Sequence, residues 1–241
     1  NALEYARTDT RQLISFLEEH SGNKLDYDKL KETLKLSKEM YDYWEQLCEL
    51  KKAIPCPIGG REGTKDLGVM LSSCGRVEAV NYFKARCEEL QEKVARKEGV
   101  IPEEKHRIAW LYVLPLFDLR IADWLQTEFK ANIVMDTFSY ANPEIQLDPS
   151  DPIDYLTKKP LKWGFVYQTY GANSVTGFAE TMGRLCKEFS TDCAIALAHW
   201  SCNQYCGTLK LLRDEISQQT GIPLLILDGD LLDSRVVSSA Q

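Results

Sequence analysis

Long apolar runs are missing from this chain of 241 residues. No stretch reaches the roughly 18 consecutive apolar residues needed to cross a bilayer, so no membrane span is expected. Positive charge is not in excess either. Lys and Arg number 29 against 36 Asp and Glu, a formal net charge of -7, which argues against a broad nucleic-acid surface. Although there are eight cysteines, none forms Cys-x-x-Cys, so a zinc ribbon or thioredoxin-type site has no support. Gly-x-Gly-x-x-Gly, Gly-x-x-x-x-Gly-Lys-Ser/Thr and Gly-x-Ser-x-Gly are also absent, which removes a dinucleotide fingerprint, a phosphate loop and a nucleophile elbow. The sequence has no secretory leader pattern, internal repeat or low-complexity segment.

What is present is an ordinary globular composition, 44% hydrophobic, enough for one large domain or two modest ones. The cysteines at 48, 56, 74, 87, 186, 193, 202 and 206 are scattered through good core sequence, unlike a small disulfide scaffold, and read as reduced thiols of a cytoplasmic protein. The start at Asn1 without an initiator Met, and the end at Gln241 after the strand-like run Ile222-Leu227 with no covering helix, read as ends cut from a longer polypeptide.

Residues 1–100 are expected to form a helical segment. Leu13, Ile14, Phe16 and Leu17 give one apolar face that stops at Gly22-Asn23, Asp26 caps a helix running to Leu50, and Pro55-Cys56-Pro57-Ile58-Gly59-Gly60 breaks the chain. Two further helices, near 65–73 and 76–98, carry solvated charge. The period changes at Lys105. Short apolar runs at 108–113, 133–135, 165–167, 194–197 and 224–227 alternate with helical stretches, and Gly221-Ile222-Pro223 stops a helix before the last run. Residues 101–241 are therefore expected to form an α/β domain with an open, mainly parallel sheet of Rossmann/flavodoxin-like type.

The densest chemistry lies at His199-Trp200-Ser201-Cys202-Asn203-Gln204-Tyr205-Cys206-Gly207, where the run 193–198 gives way to a helix. Ligands of open α/β sheets bind outside the carboxyl ends of the strands, which places Cys202 at the crevice. A helix N-terminus favours negative charge, the form in which sulfur binds metal. Cys202 and Cys206, one turn apart, fit either two buried thiols or metal ligands. His199 and Trp200 fit either an acyl pocket or packing at a strand end. Asp228, Asp230, Asp233 and Arg235 follow the last run at the same edge; capping and an ion pair with Arg235 compete there with orientation of a substrate. Gly171-Ala172-Asn173-Ser174 fits a plain turn and N-cap or backbone donors to a phosphate. Trp163, Tyr167 and Tyr170 pack in the core or flank an acyl group. Cys48, Cys87, Cys186 and Cys193 are expected in the core, and Cys56, between two prolines, as a partly exposed thiol.

The stretch 199–204, together with Gly221-Ile222-Pro223-Leu224-Leu225-Ile226-Leu227-Asp228-Gly229-Asp230-Leu231-Leu232-Asp233-Ser234-Arg235, resembles the carboxy-terminal part of the (R)-2-hydroxyacyl-CoA dehydratase and benzoyl-CoA reductase family. The upstream Phe16-Asp26 stretch followed by Pro55-Cys56-Pro57 is similar to that family's helical linking segment. The resemblance implies a subunit of a heterodimer with a paralogous second subunit. It also implies a [4Fe-4S] cluster for which Cys202 supplies one ligand, Cys206 being a weaker candidate, with the remaining ligands outside this sequence. A separate ATP-hydrolysing activator would inject one electron, and the cluster would carry the hard step on an acyl-CoA substrate. The implied reaction removes water from a 2-hydroxyacyl-CoA to give the 2-enoyl-CoA. Because the β-proton is barely acidic, simple acid-base elimination fails, whereas an electron on the thioester carbonyl gives a ketyl radical that expels hydroxide and acidifies that position, the electron being returned after deprotonation. Three alternatives stand beside this reading: a subunit of an ATP-dependent benzoyl-CoA reductase, a cluster-bearing reductase of another substrate fed by the same activator, and a non-catalytic subunit that relays electrons or supports its partner.

Overall fold

The computed structural model describes residues 2–112, 114–163 and 175–236. Four helices come first: α1 (Ala2–Ser21), α2 (Tyr27–Leu50), α3 (Gly60–Ser73) and α4 (Val77–Ala95). Their ends follow local chemistry. Gly22 takes φ +69 just past α1, a conformation that costs glycine little, and the Asp26 carboxylate accepts from the Asp28 and Lys29 N–H groups at the start of α2. Leu34, Met40, Trp44 and Leu47 form a helical stripe on α2 that meets Val80, Phe83 and Leu90 of α4, with Trp44 edge-on to Phe83 at 5.2 Å. Burying the Phe83 ring alone contributes roughly 1.5–3 kcal/mol.

From His106 the chain alternates strand and helix: β1 (His106–Leu111), α5 (Arg120–Phe129), β2 (Ala131–Asp136), α6 (Pro152–Lys162), α7 (Val175–Glu188), β3 (Cys193–His199), α8 (Asn203–Thr220) and β4 (Leu224–Gly229), then a 3-10 turn at Ser234–Val236. The strands form one parallel sheet in the order β2-β1-β3-β4. Ile108 lies opposite both Ile133 and Cys193, and Leu197 opposite Leu227. The open parallel sheet and helical amino-terminal region agree with the sequence expectation. The run expected at 165–167 lies outside the described residues.

Side chains alternate between the two faces of the sheet. Ala194, Ala196 and Ala198 join the core that includes α2, α4, α7 and α8, while Ile195 and Leu197 join Trp110, Ile133 and α5 on the opposite face. Alanines on the first face leave room for the helices to lie close. A similar economy operates at the start of α3, where a Cβ on Gly60 would lie 2.8 Å from that of Ile133. On the opposite face α5 covers β2 and β1, but Leu225 of β4 is 54% exposed and Trp124 of α5 51% exposed. No helix among the described residues is long and apolar enough to cross a membrane.

All eight cysteines are free thiols. Cys48, Cys87 and Cys186 are buried as expected, whereas Cys193, at the start of β3, is only half-buried and Cys56 corrects its expectation: it is 0% exposed. Its N–H donates to Glu104 at 3.1 Å, its thiol to the Ile58 carbonyl at 3.2 Å, and its carbonyl accepts from the Val100 N–H, so the segment after α4 closes over the Pro-Cys-Pro turn. Burial pushes the thiols of Cys48, Cys56 and Cys186 up to about 11. Unfolded thiols titrate near 8.5, so above that pH the unfolded chain has released protons that the folded chain keeps. The stability this contributes is complete below about 8.5 and is lost as pH rises through 11. Urea titrations under reducing conditions are expected to give a markedly lower midpoint at pH 10.5 than at pH 8, the stability falling by roughly 2 kcal/mol per thiol over that interval. Equal midpoints would show that these thiols do not titrate so differently on folding.

Candidate functional site

The crossover through α5 leads from β1 leftward over one face of the sheet, and the crossover through α8 leads from β3 rightward over the other. The switch point, where ligands of open α/β sheets bind, therefore lies between the carboxyl ends of β1 and β3. His199 ends β3 and Cys202 is the N-cap of α8. The Cys202 N–H donates to the His199 carbonyl at 2.9 Å, and its thiol, half-buried, makes no capping hydrogen bond. Cys206 sits one turn on. Its thiol donates to the same His199 carbonyl at 3.2 Å, and burial, followed by the nearby Cys202 and Asp228, raises its pKa. Of the two sulfurs, Cys202 is thus the one not engaged with the backbone.

The imidazole of His199 has its Nδ1 3.4 Å from Asp230 Oδ2, off the line of a hydrogen bond. Asp230 is fixed by its other oxygen, which accepts from the Leu232 and Asp233 N–H groups at 2.8 and 3.0 Å; these bonds first, and then His199, hold its carboxyl below the usual range. Asp233 and Arg235 form the exposed ion pair expected of them. Trp200 is 55% exposed, with its N–H donating to the Gly229 carbonyl. Asp228 and Asp230 line a cleft of about 820 Å³ together with Phe117, Trp124, Leu197 and Leu227. The structure thus gathers His199, Cys202, Cys206, Asp228 and Asp230 at one edge of the sheet. Tyr167, Tyr170 and 171–174 lie outside the described residues, while Trp163 packs edge-on to Phe138 and donates from Nε1 to its carbonyl at 2.6 Å.

Three residues of this edge escape sequence reasoning. Tyr112, expected to continue β1, instead takes φ +106 directly after it. Holding a tyrosine there costs on the order of 1–3 kcal/mol. Thr137, just past β2, offsets that cost: its Oγ1 accepts from the Tyr112 N–H at 2.9 Å and donates to the Tyr112 carbonyl at 3.3 Å. The Tyr112 ring stacks on Tyr205 of α8, centroids 4.4 Å apart, with His199 6.2 Å away and Phe138 edge-on at 5.6 Å. Nothing local in the sequence marks Tyr112 for a left-handed conformation, because its partner Thr137 is 25 residues away.

Among the described residues no group of three or more His, Cys, Asp or Glu side chains is placed to hold a metal ion. The donor set here fits one corner of an iron-sulfur cluster, a single cysteine sulfur, and does not by itself fit a complete one.

Fold and site together define a parallel α/β protein with a cysteine at the N-cap of the helix that leaves its switch point. Residues 1–241 match the family described as 2-hydroxyglutaryl-CoA dehydratase, D-component, and the chain belongs to that family. Its relatives include the (R)-phenyllactyl-CoA dehydratase alpha subunit of Clostridium sporogenes, 28% identical over 99% of this chain and 56% of that protein. A benzoyl-CoA reductase subunit of Thauera aromatica is 25% identical over 95% of this chain and 55% of its own length. The alpha subunit of (R)-2-hydroxyglutaryl-CoA dehydratase of Acidaminococcus fermentans is 25% identical over 99% of this chain and 48% of its own length. The chain thus spans about half the length of the curated relatives it matches.

Proposed function

We propose that this chain is part of a subunit of an iron-sulfur (R)-2-hydroxyacyl-CoA dehydratase, with Cys202 giving one thiolate to a [4Fe-4S] cluster and the other ligands coming from polypeptide outside this sequence. The observation that carries the reading is the uncapped, half-buried thiol of Cys202 at the switch point of a chain belonging to this family. When bound, the cluster would supply one low-potential electron to the thioester, converting a barely acidic β-proton into a removable one. The residues of this chain would hold and orient. His199, whose Nδ1 faces the fixed carboxylate of Asp230, and the exposed Trp200 would border the acyl group, the indole excluding water from it. The relatives that are dehydratase alpha subunits support a second subunit as partner, and the reaction calls for a separate ATP-dependent activator. The eight free thiols support a reducing, cytoplasmic setting.

The test is Cys202→Ser in the full-length polypeptide, purified without oxygen together with its partner. Loss of iron and of the low-temperature paramagnetic signal is expected; unchanged iron and signal would remove Cys202 from the ligand set. The reductase relative favours a second reading, separated by electron accounting. A dehydratase turns over many times on a catalytic quantity of reductant, and strict stoichiometric consumption would favour ring reduction.

A further inference from the structure

The geometry points to Tyr205 and Tyr112 as positioning residues for the Cys202 thiol, a pair of aromatic rings that fasten the first turn of α8 to the end of β1 across the switch point. This rests on Cys202 being the sulfur that matters at the site. The bonds around Cys202 are local: its N–H reaches His199, and its carbonyl accepts from the Cys206 N–H at 3.0 Å. Both ends of those bonds belong to the β3–α8 turn, and the β1–β3 ladder, whose last pair is Leu111 with Ala196, stops short of the first turn of α8.

Tyr205 supplies the link across. Three residues after Cys202, it is 6% exposed, and its hydroxyl donates to the Leu111 carbonyl at the end of β1 at 2.5 Å. The Tyr205 ring lies on that of Tyr112, and Tyr112 is held in its left-handed conformation by both hydrogen bonds to Thr137. A continuous set of contacts thus runs from Thr137 after β2, through Tyr112 after β1, to Tyr205 and the turn that carries Cys202. Any buried tyrosine seeks a partner for its hydroxyl; this one takes its acceptor from β1 while its ring rests on the strained Tyr112, so both of its contacts lead to the end of that strand.

The experiment uses the full-length polypeptide with its partner. Iron-free protein is treated with iodoacetamide, and alkylation of Cys202 is followed by mass spectrometry, with half-buried Cys193, at the opposite end of β3, as internal reference. Tyr205→Phe keeps the ring and removes the hydroxyl. It is expected to raise the Cys202 rate about fivefold, the factor by which losing one net hydrogen bond shifts a local opening, while Cys193 is unchanged. In iron-loaded protein the same variant is expected to shift the midpoint potential or the paramagnetic line shape. Thr137→Val, which cuts both bonds to Tyr112 without touching α8, is expected to act in the same direction, and Thr137→Ser to restore wild-type behaviour. If both Tyr205→Phe and Thr137→Val leave the Cys202 rate within about twofold of wild type, or raise Cys193 equally through general loosening, the positioning role is overturned. The alkylation rate reads the thiol whether or not it binds iron, so the outcome is separate from that of Cys202→Ser: iron retained in that variant sinks the ligand assignment and leaves the alkylation result standing.

Discussion

Arg107→Met is expected to lower the unfolding free energy by about 3–5 kcal/mol, read as a fall in the urea midpoint without a change in slope. Arg107 and Glu104 form an ion pair whose side chains are 6% and 2% exposed. The guanidinium also donates to the Phe189 carbonyl at 2.9 Å, to that of Ala53 at 3.0 Å, and at longer range to those of Lys51 and Lys52, just past the end of α2. Glu104 in turn accepts from the Cys56 N–H and from Asn132 at 3.1 and 3.3 Å. Removing the cation strands a carboxylate in the interior and leaves several carbonyls without a donor, which is the costly way to break such a pair. The double variant Arg107→Met with Glu104→Gln should recover part of the loss, because the stranded charge goes with it. A single-variant loss under about 1 kcal/mol would mean that water or a rearranged side chain reaches Glu104.

A comparable loss, again about 3–5 kcal/mol, is expected for Asp136→Ala at the opposite end of the sheet. Asp136 closes β2 and accepts from the Phe138 and Ser139 N–H groups at 3.1 and 2.7 Å and from the Ser139 hydroxyl, while Lys51 Nζ lies 3.7 Å away. Both charged side chains are 4% exposed. The pair is unequal. Without the carboxylate, Lys51 keeps its hydrogen bond to Ser139 at 3.2 Å but loses its counter-charge, and two backbone N–H groups lose their acceptor. Without the amine, Asp136 still has three donors. Lys51→Met should therefore cost less than Asp136→Ala in the same denaturation experiment, and the reverse order would show that the cation, not the carboxylate, organises the cluster. Both ion pairs bind the segment at the end of α2 to the sheet, one where β1 begins and one where β2 ends.

Much of the fold was legible because its determinants are close in sequence. The apolar runs of β1 to β4, the Asp26 cap and the Gly221 stop with φ +74 each depend on neighbours a few residues away. Cys202 was legible for the same reason: a strand run followed at once by helical sequence locates its own junction. What escaped was set by distant partners. Cys56 is buried because Glu104, 48 residues on, accepts its N–H. Tyr112 leaves the strand because Thr137 holds it from the next one. The facing of His199 and Asp230 joins the ends of two adjacent strands, which local periodicity does not reveal.

The strand order has a consequence for how the chain is made. β1 and β2 are joined by a short helical crossover and can meet early, whereas the other neighbour of β1 arrives much later: Arg107 bonds to Asp192, 85 residues away. A nascent chain emerging from the ribosome therefore carries β1 with one row of N–H and C=O groups open until β3 has been synthesised. That interval, more than any feature of the finished molecule, is when edge-to-edge association with another copy competes with folding.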